Sequence, residues 1–145
     1  MLKIFLVEDE FVVREGIKKN ISWKENGYDF CGEASDGELA FPMIQKLKPD
    51  IVITDIKMPF MDGLSLSRLI KKEMPWVEII ILSGHEEFEF AKESIKIGVA
   101  QYILKPVSGA ELLKEVNAVA EKIETKRKER EIQENNRLFY KQSPE

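Results

Sequence analysis

The stretch that decides the predicted fold is IVITDIKMPFMDG, residues 51–63. Residues 51–54 are all β-branched, which is typical of a strand covered on both faces in a parallel sheet. Asp55 follows directly at the end of this strand. Because ligands of open α/β sheets bind beyond the carboxyl ends of the strands, we expect Asp55 to lie at a binding site.

Four more short apolar runs occur along the chain, at residues 4–7, 28–34, 77–82 and 102–104. Segments of helical periodicity separate them; Val13, Ile17 and Ile21, for example, recur every four residues. Strands that alternate with helices predict right-handed crossovers and an α/β fold with a parallel sheet. Residues 28–34 alternate between apolar and polar, so we expect an edge strand there.

Two of the predicted helices have notable ends or interruptions. Asp36 is a suitable N-cap for the second helix, but Pro42 falls inside it, which predicts a kink or a late start. Phe88, Ala91 and Ile95 form the apolar pattern of the fourth helix. Gly98 should end that helix in a left-handed conformation.

The C-terminal part of the chain differs in composition, since eleven of the seventeen residues at 121–137 are charged. We expect the fifth helix to pack on the domain to about Ile123 and then to leave it. This divides the chain into a domain of residues 1–123 and a charged helical linker or tail of residues 124–145. The tail is interpreted as a solvated helix, a signalling helix that leads to an absent output domain, or a dimer contact.

Composition excludes several classes of protein. The net charge is −4 and the pI about 5.3, without the basic surface that nucleic-acid binding requires. No apolar run approaches the roughly 18 residues of a membrane span, and no signal peptide pattern is visible. We therefore expect a cytoplasmic protein. The single cysteine, Cys31, rules out an intrachain disulfide.

Polar residues of fitting chemistry follow four predicted strands: Glu8 and Asp9, then Asp55, Ser83 and Lys105. Carboxylates suit Mg²⁺, a lysine pairs with phosphate, and a carboxylate nucleophile forms an acyl phosphate. Each residue alone has an ordinary alternative as a helix cap or loop residue. Their joint occurrence at strand ends favours phosphoryl transfer to Asp55.

The stretches at residues 6–10, 53–63, 82–84 and 102–106 resemble receiver domains of bacterial two-component response regulators. The resemblance covers about residues 1–123. It implies a doubly wound, flavodoxin-like sheet of five parallel strands in the order 2-1-3-4-5, followed by an extended C-terminal helix. It also implies that a sensor histidine kinase phosphorylates Asp55.

Roles for individual residues follow from the resemblance. Mg²⁺ would be bound by Asp9, Asp55 and the backbone carbonyl of Lys57. Glu8 would bond to these ligands or contact the ion through a water molecule.

The phosphoryl group would contact Ser83 and pair with Lys105, and the Lys105–Pro106 peptide bond is expected to be cis. Tyr102 matches the aromatic residue whose rotamer follows activation in this family; plain core packing is the alternative.

Lys57 and His85 rim the expected site. We hypothesise that they shield the acyl phosphate and slow its hydrolysis; the alternative is two exposed side chains without effect. Metal-dependent phosphatases with an aspartate nucleophile usually place a general-acid carboxylate two residues later, where this chain has Lys57. We therefore expect a phosphoacceptor switch and not a multiple-turnover enzyme, with such a phosphatase as the less favoured alternative.

Residues 21–24 and 83–91 resemble receivers attached to AraC-type helix-turn-helix regulators, which implies a DNA-binding output domain. The alternative is a stand-alone receiver that acts through protein–protein contacts. On phosphorylation we expect a homodimer through the fourth helix, fifth strand and fifth helix, a surface that includes Lys92, Lys96, Glu111 and Lys114.

Overall fold

The computed structural model describes residues 1–84 and 88–142, and in this part of the chain five strands alternate with five helices. In chain order they are β1 (Leu2–Val7), α1 (Phe11–Asn20), β2 (Tyr28–Ala34), α2 (Gly37–Leu47), β3 (Ile51–Asp55), α3 (Gly63–Glu73), β4 (Glu78–Ser83), α4 (Phe88–Ile97), β5 (Gln101–Leu104) and α5 (Gly109–Gln142).

The five strands form one parallel sheet in the order β2-β1-β3-β4-β5. The predicted α/β fold and strand order are therefore confirmed, and β2 is an edge strand as expected. The chain leaves β1 toward β2 on one side and returns to β3 on the other. The carboxyl ends of β1 and β3 thus form the topological switch point, where ligands bind in such sheets.

The sheet separates two hydrophobic layers. Ile51 and Ile53 of β3 pack with α1 and α5 on one side, and Val52 packs with α2 and α3 on the other. All three side chains are fully buried, and each contributes roughly 1.5–3 kcal/mol of burial free energy. This two-sided burial explains why β3 is β-branched throughout, and it anchors the strand that ends in Asp55.

Helix α2 begins at Gly37 and continues through Pro42 to Leu47. The predicted N-cap is confirmed, because the Asp36 carboxylate accepts a 2.8 Å hydrogen bond from the Leu39 amide. Of the two predicted effects of Pro42, the late start is wrong and the kink stays a prediction. Although Pro42 cannot donate to a helical carbonyl, burial of Ala40 and Ile44 on the sheet holds the turns on both sides of it.

Helix α4 is confirmed, but two of the three apolar residues that predicted it face solvent, while Ala91 is half-buried. Phe88 is 76% exposed and Ile95 is 78% exposed, whereas Ser94 is buried. Ser94 tolerates burial because its hydroxyl donates to the Phe90 carbonyl at 2.8 Å. Gly98, with φ of +93°, ends the helix as predicted.

Helix α5 packs on the domain through its apolar stripe as far as Ile123, as expected. Two ion pairs then extend the contact between α5 and the domain by about one further turn. Arg127 Nη2 lies 2.7 Å from Asp50 Oδ1, and Lys126 Nζ lies 3.6 Å from Glu78 Oε1. Among the described residues, no helix is both long and apolar enough to cross a membrane.

Candidate functional site

Glu8 and Asp55 lie side by side at the switch point. Val7 of β1 pairs with Thr54 of β3, so the next residue of each strand reaches the same edge of the sheet. The Glu8 amide donates to the Ala34 carbonyl at 3.0 Å, which extends the ladder between β1 and β2. Glu8 is only 1% exposed, so its carboxylate sits in a largely desolvated position.

Lys105 brings a positive charge to these two carboxylates from the end of β5. Its amide donates to the Ser83 carbonyl at 2.7 Å, which fixes the backbone beside β4. Its ammonium lies 2.9 Å from Asp55 Oδ2 and 3.1 Å from Glu8 Oε2. The predicted cis bond between Lys105 and Pro106 is confirmed. One ammonium therefore links both acids.

The electrostatics of the cluster favour cations. The pKa of Glu8 is raised to about 7, because burial, the largest cause, and the charge of Asp55 outweigh the opposing charge and hydrogen bond of Lys105. Burial alone would lower the pKa of Lys105, but the hydrogen bond to Asp55 and the charges of Glu8 and Asp55 outweigh it, so this pKa is raised. Lys105 thus stays protonated.

The backbone around Asp55 is tightly fixed. Asp55 Oδ1 accepts a 2.8 Å hydrogen bond from the Ile56 amide, and the Thr54 hydroxyl donates to the Asp55 carbonyl at 2.9 Å. The Gly63 amide donates to the Ile56 carbonyl at 2.7 Å. A Cβ atom on Gly63 would lie 1.9 Å from the Asp55 carbonyl oxygen, so only glycine fits there. Gly63 belongs to the motif at residues 53–63, but its steric role was not predicted from the sequence.

Three acids could hold a metal ion here. One carboxylate oxygen from each of Glu8, Asp9 and Asp55 lies within 4.8 Å of the others. Oxygen ligands around Mg²⁺ lie roughly 3–4 Å apart, given bond lengths near 2.1 Å. The donor type and spacing therefore fit this ion after small side-chain rotations. The predicted contribution of the Lys57 carbonyl stays a prediction.

Ser83 and Tyr102 occupy neighbouring strands near this cluster. Ser83 is fully buried at the end of β4, one residue beyond Leu82, the pairing partner of Asp55. Tyr102 of β5 is partly buried and packs against the core layer on the α2–α4 side. The packing is compatible with a switch residue and with a core residue, so the role of Tyr102 stays a prediction.

The two rim residues differ in what the structure describes. The Lys57 side chain is exposed, and its ammonium lies 5.8 Å from the centroid of the Phe90 ring on α4, within the range of a cation–π contact. His85 lies outside the described residues. The shielding hypothesis therefore stays a prediction for both.

Comparison with known families identifies the domain. Residues 4–117 match the response regulator receiver domain family. The chain belongs to this family. The strand-end residues that predicted a receiver domain are the same ones that the fold brings together at the switch point.

Two curated relatives of this receiver domain are named as transcriptional regulatory proteins. The uncharacterized transcriptional regulatory protein YesN of Bacillus subtilis is 40% identical over 119 residues, which is 82% of this chain and 32% of that protein. Transcriptional regulatory protein HptR of Staphylococcus aureus is 38% identical over 112 residues, 77% of this chain and 44% of that protein. The chain thus spans less than half the length of these relatives.

Solved receiver structures share the fold. The REC domain of AraT, a response regulator from Geobacillus stearothermophilus, superimposes with a TM-score of 0.80 at 35% identity and covers 87% of this chain and 98% of that one. A CheX–CheY–BeF₃–Mg²⁺ complex from Borrelia burgdorferi matches with a TM-score of 0.75 at 25% identity, over 81% of this chain and 88% of that one. These matches confirm the doubly wound, flavodoxin-like architecture.

Proposed function

We propose that this receiver domain is a phosphoacceptor switch, in which Asp55 accepts a phosphoryl group from the phosphohistidine of a sensor histidine kinase. The observation that supports this most strongly is the contact of one ammonium, Lys105, with two acids, Asp55 and Glu8, at the switch point of the sheet. The cluster offers a nucleophile, a cation-binding acid pair and a phosphate partner within one pocket.

In the proposed reaction, a carboxylate oxygen of Asp55 forms a bond to phosphorus as the bond from phosphorus to the donor imidazole breaks. The Ile56 amide holds Asp55 Oδ1 and thereby orients the carboxylate. Lys105 transfers its hydrogen bond from the carboxylate to a phosphoryl oxygen, and the hydroxyl of Ser83 donates to another. Positioning and charge neutralisation then supply most of the catalysis, as is general for phosphoryl transfer.

Asp9, Asp55 and the backbone carbonyl of Lys57 would hold Mg²⁺, with Glu8 assisting by bonding to these ligands or through water. The ion would neutralise charge on the phosphoryl oxygens. The complex of CheX and CheY with BeF₃ and Mg²⁺ supports this assignment, because that CheY is a structural relative. Because burial raises the pKa of Glu8, a cation beside this acid would stabilise its charged form.

We also propose that phosphorylation promotes homodimerisation through the surface of α4, β5 and α5. The exposed apolar side chains Phe88, Ile95 and Leu104 lie on α4 and β5 of this surface. The exposed charged residues Lys92, Lys96, Glu111 and Lys114 lie on α4 and α5 of the same surface. Single exposed apolar side chains are common on protein surfaces, but three large ones on the consecutive elements α4 and β5 favour a contact.

The output of the switch is proposed from the relatives. Both are named as transcriptional regulators and are more than twice as long as the matched region. A cytoplasmic regulator with a DNA-binding output, of the AraC type, fits this and follows the sequence prediction. The stand-alone receiver is the alternative, and the full gene sequence distinguishes the two.

The test is incubation with acetyl phosphate and Mg²⁺, followed by intact mass measurement. We expect one added phosphoryl group on the unaltered chain and on Asp29→Ala, which removes an exposed aspartate of β2. Asp55→Ala should gain none. Phosphorylation of Asp55→Ala would contradict the assignment, and sustained hydrolysis of the donor at enzymatic rates would favour the phosphatase alternative.

A further inference from the structure

Phe60, five residues after Asp55, has an unusual backbone conformation. Its φ is +69°, in the left-handed region that favours glycine. The Met61 amide donates to the Pro59 carbonyl at 2.8 Å across it. A bond from residue i+2 to residue i around a positive φ describes a classic γ-turn, which is rare and strained. Folding therefore places an aromatic residue where glycine would fit with less strain.

The side chain of Phe60 gains little from folding. It is 85% exposed, the largest exposure of any large apolar side chain among the described residues. Neither the backbone conformation nor burial explains why an aromatic residue stands here. Strained, exposed positions of this kind are concentrated at functional sites.

The loop that presents Phe60 is anchored at both ends. Gly63 packs against the Asp55 backbone without space for a side chain, and its amide bonds the Ile56 carbonyl. The Gly37 amide of α2 donates to the Met61 carbonyl at 3.2 Å. Phe60 is thus held at a fixed position relative to the acceptor carboxylate.

Other large apolar side chains are exposed at the same edge of the sheet. Phe11 is 65% exposed and Val12 is 80% exposed at the start of α1, directly after the acids that end β1. Phe88 begins α4, which follows the end of β4. Because all strands are parallel, these helix starts lie at the edge where Asp55 ends β3. We call Phe11, Val12, Phe60 and Phe88 the apolar rim.

A protein donor must cover the apolar rim, whereas a small donor need not. The Asp55 side chain is only 12% exposed, so a phosphohistidine has to enter the pocket, and the protein surface around that histidine then meets the rim. We propose that Phe60 is a specificity-determining contact for a phosphohistidine-bearing protein donor and has no part in the chemistry at Asp55. The inference rests on the proposed phosphoacceptor function.

Comparing two phosphoryl donors distinguishes a failure of the inference about Phe60 from a failure of the proposed phosphoacceptor function. Initial rates of Asp55 phosphorylation are measured with acetyl phosphate and with an autophosphorylated histidine kinase core. The kinase is the one that transfers fastest to the unaltered chain among those of the source organism. Phe60→Ala removes the ring and keeps the strained backbone, and Phe60→Gly removes both. Trp76→Ala is the control, an exposed aromatic residue before β4 at the opposite edge of the sheet.

We expect transfer from the kinase to fall about tenfold in both Phe60 variants, the effect of losing one strong interface contact. The acetyl phosphate rate should change less than about twofold, and Trp76→Ala should match the unaltered chain. Phe60→Gly should also melt at a higher temperature than Phe60→Ala, since glycine adopts positive φ without strain.

Unchanged kinase transfer in both variants would overturn the inference and would assign Phe60 to another partner, such as a second copy of the chain. Equal loss with both donors would also overturn it, since Phe60 would then support the site itself. If the unaltered chain accepts phosphate from neither donor, the proposed function fails and the inference falls with it.

Discussion

Lys105 is the residue that allows two acids to share a buried pocket. Desolvated carboxylates are costly unless they are paired, and the cost rises when two lie together. Lys105 reaches both Glu8 and Asp55 from the end of β5. The same ammonium is the expected partner of the phosphoryl group, so it stabilises the unphosphorylated pocket and must change partners when Asp55 is phosphorylated.

Replacing Lys105 by methionine should lower the free energy of unfolding by roughly 1–3 kcal/mol in buffer without Mg²⁺, because Glu8 and Asp55 lose their cation. Urea denaturation measures this. Added Mg²⁺ should stabilise Lys105→Met more than the unaltered chain, since no ammonium competes for the acids. Lys114→Met, which replaces an exposed lysine of α5, is the control. It should change neither the free energy of unfolding nor the stabilisation by Mg²⁺. Equal stability of Lys105→Met without Mg²⁺ would contradict the described contacts.

At the scale of single elements, α5 combines two kinds of contact. Its 34 residues begin with an apolar stripe on the core and continue as a charged helix. Asp50 accepts from the Lys3 amide at 2.7 Å as well as from Arg127. Because Asp50 is already held, little side-chain entropy is lost when Arg127 binds it. A charged helix without tertiary contacts is only marginally stable in water. The helical turn that contains Arg127 should therefore stabilise the turns that follow it.

Replacing Arg127 by alanine should therefore loosen the exit helix locally. We expect amide hydrogen exchange in residues 124–132 to become several-fold faster, while global stability changes by less than about 1 kcal/mol, as is usual for exposed ion pairs. Arg137→Ala is the matched control, because Arg137 pairs with Glu134 on the same helix and not with the domain. Identical exchange in Arg127→Ala and the unaltered chain would show that the Asp50 contact does not support the helix.

Across the whole molecule, the sequence predicted those features best that depend on residues close together in the chain. The β-branched run of β3 and the polar residues at strand ends are visible in the chain itself. Parallel strands then place Glu8, Asp55 and Lys105 at one edge of the sheet, but which of them become neighbours depends on the strand order. The strand order came only from the family resemblance, because alternation of strands and helices is compatible with several orders.

What the sequence did not predict depends on tertiary packing. Phe88 and Ile95 have helical spacing but face solvent, whereas Ser94 is buried with its hydroxyl bonded to its own helix. Pro42 is tolerated because the buried side of α2 holds the helix on the sheet. The steric requirement at Gly63 arises from a backbone approach that residue type alone does not show.

The proposed dimer is a prediction for the whole molecule. Beryllofluoride with Mg²⁺, a phosphoryl mimic, should convert the chain from monomer to dimer, as measured by light scattering after size-exclusion chromatography. Ile95→Asp should stay monomeric, because it places a charge within the exposed apolar group on α4. Ile132→Asp, an exposed position on the tail, should dimerise normally. Normal dimerisation of Ile95→Asp would exclude this surface.

The central claim, that Asp55 is the phosphoacceptor, is tested most directly by locating the acyl phosphate. After incubation with acetyl phosphate and Mg²⁺, reduction with borohydride converts a phosphorylated aspartate to homoserine, which peptide mass spectrometry assigns to a position. We expect the modification at Asp55 and nowhere else. Homoserine at Asp9, Asp62 or another acid, with Asp55 unmodified, would contradict the account.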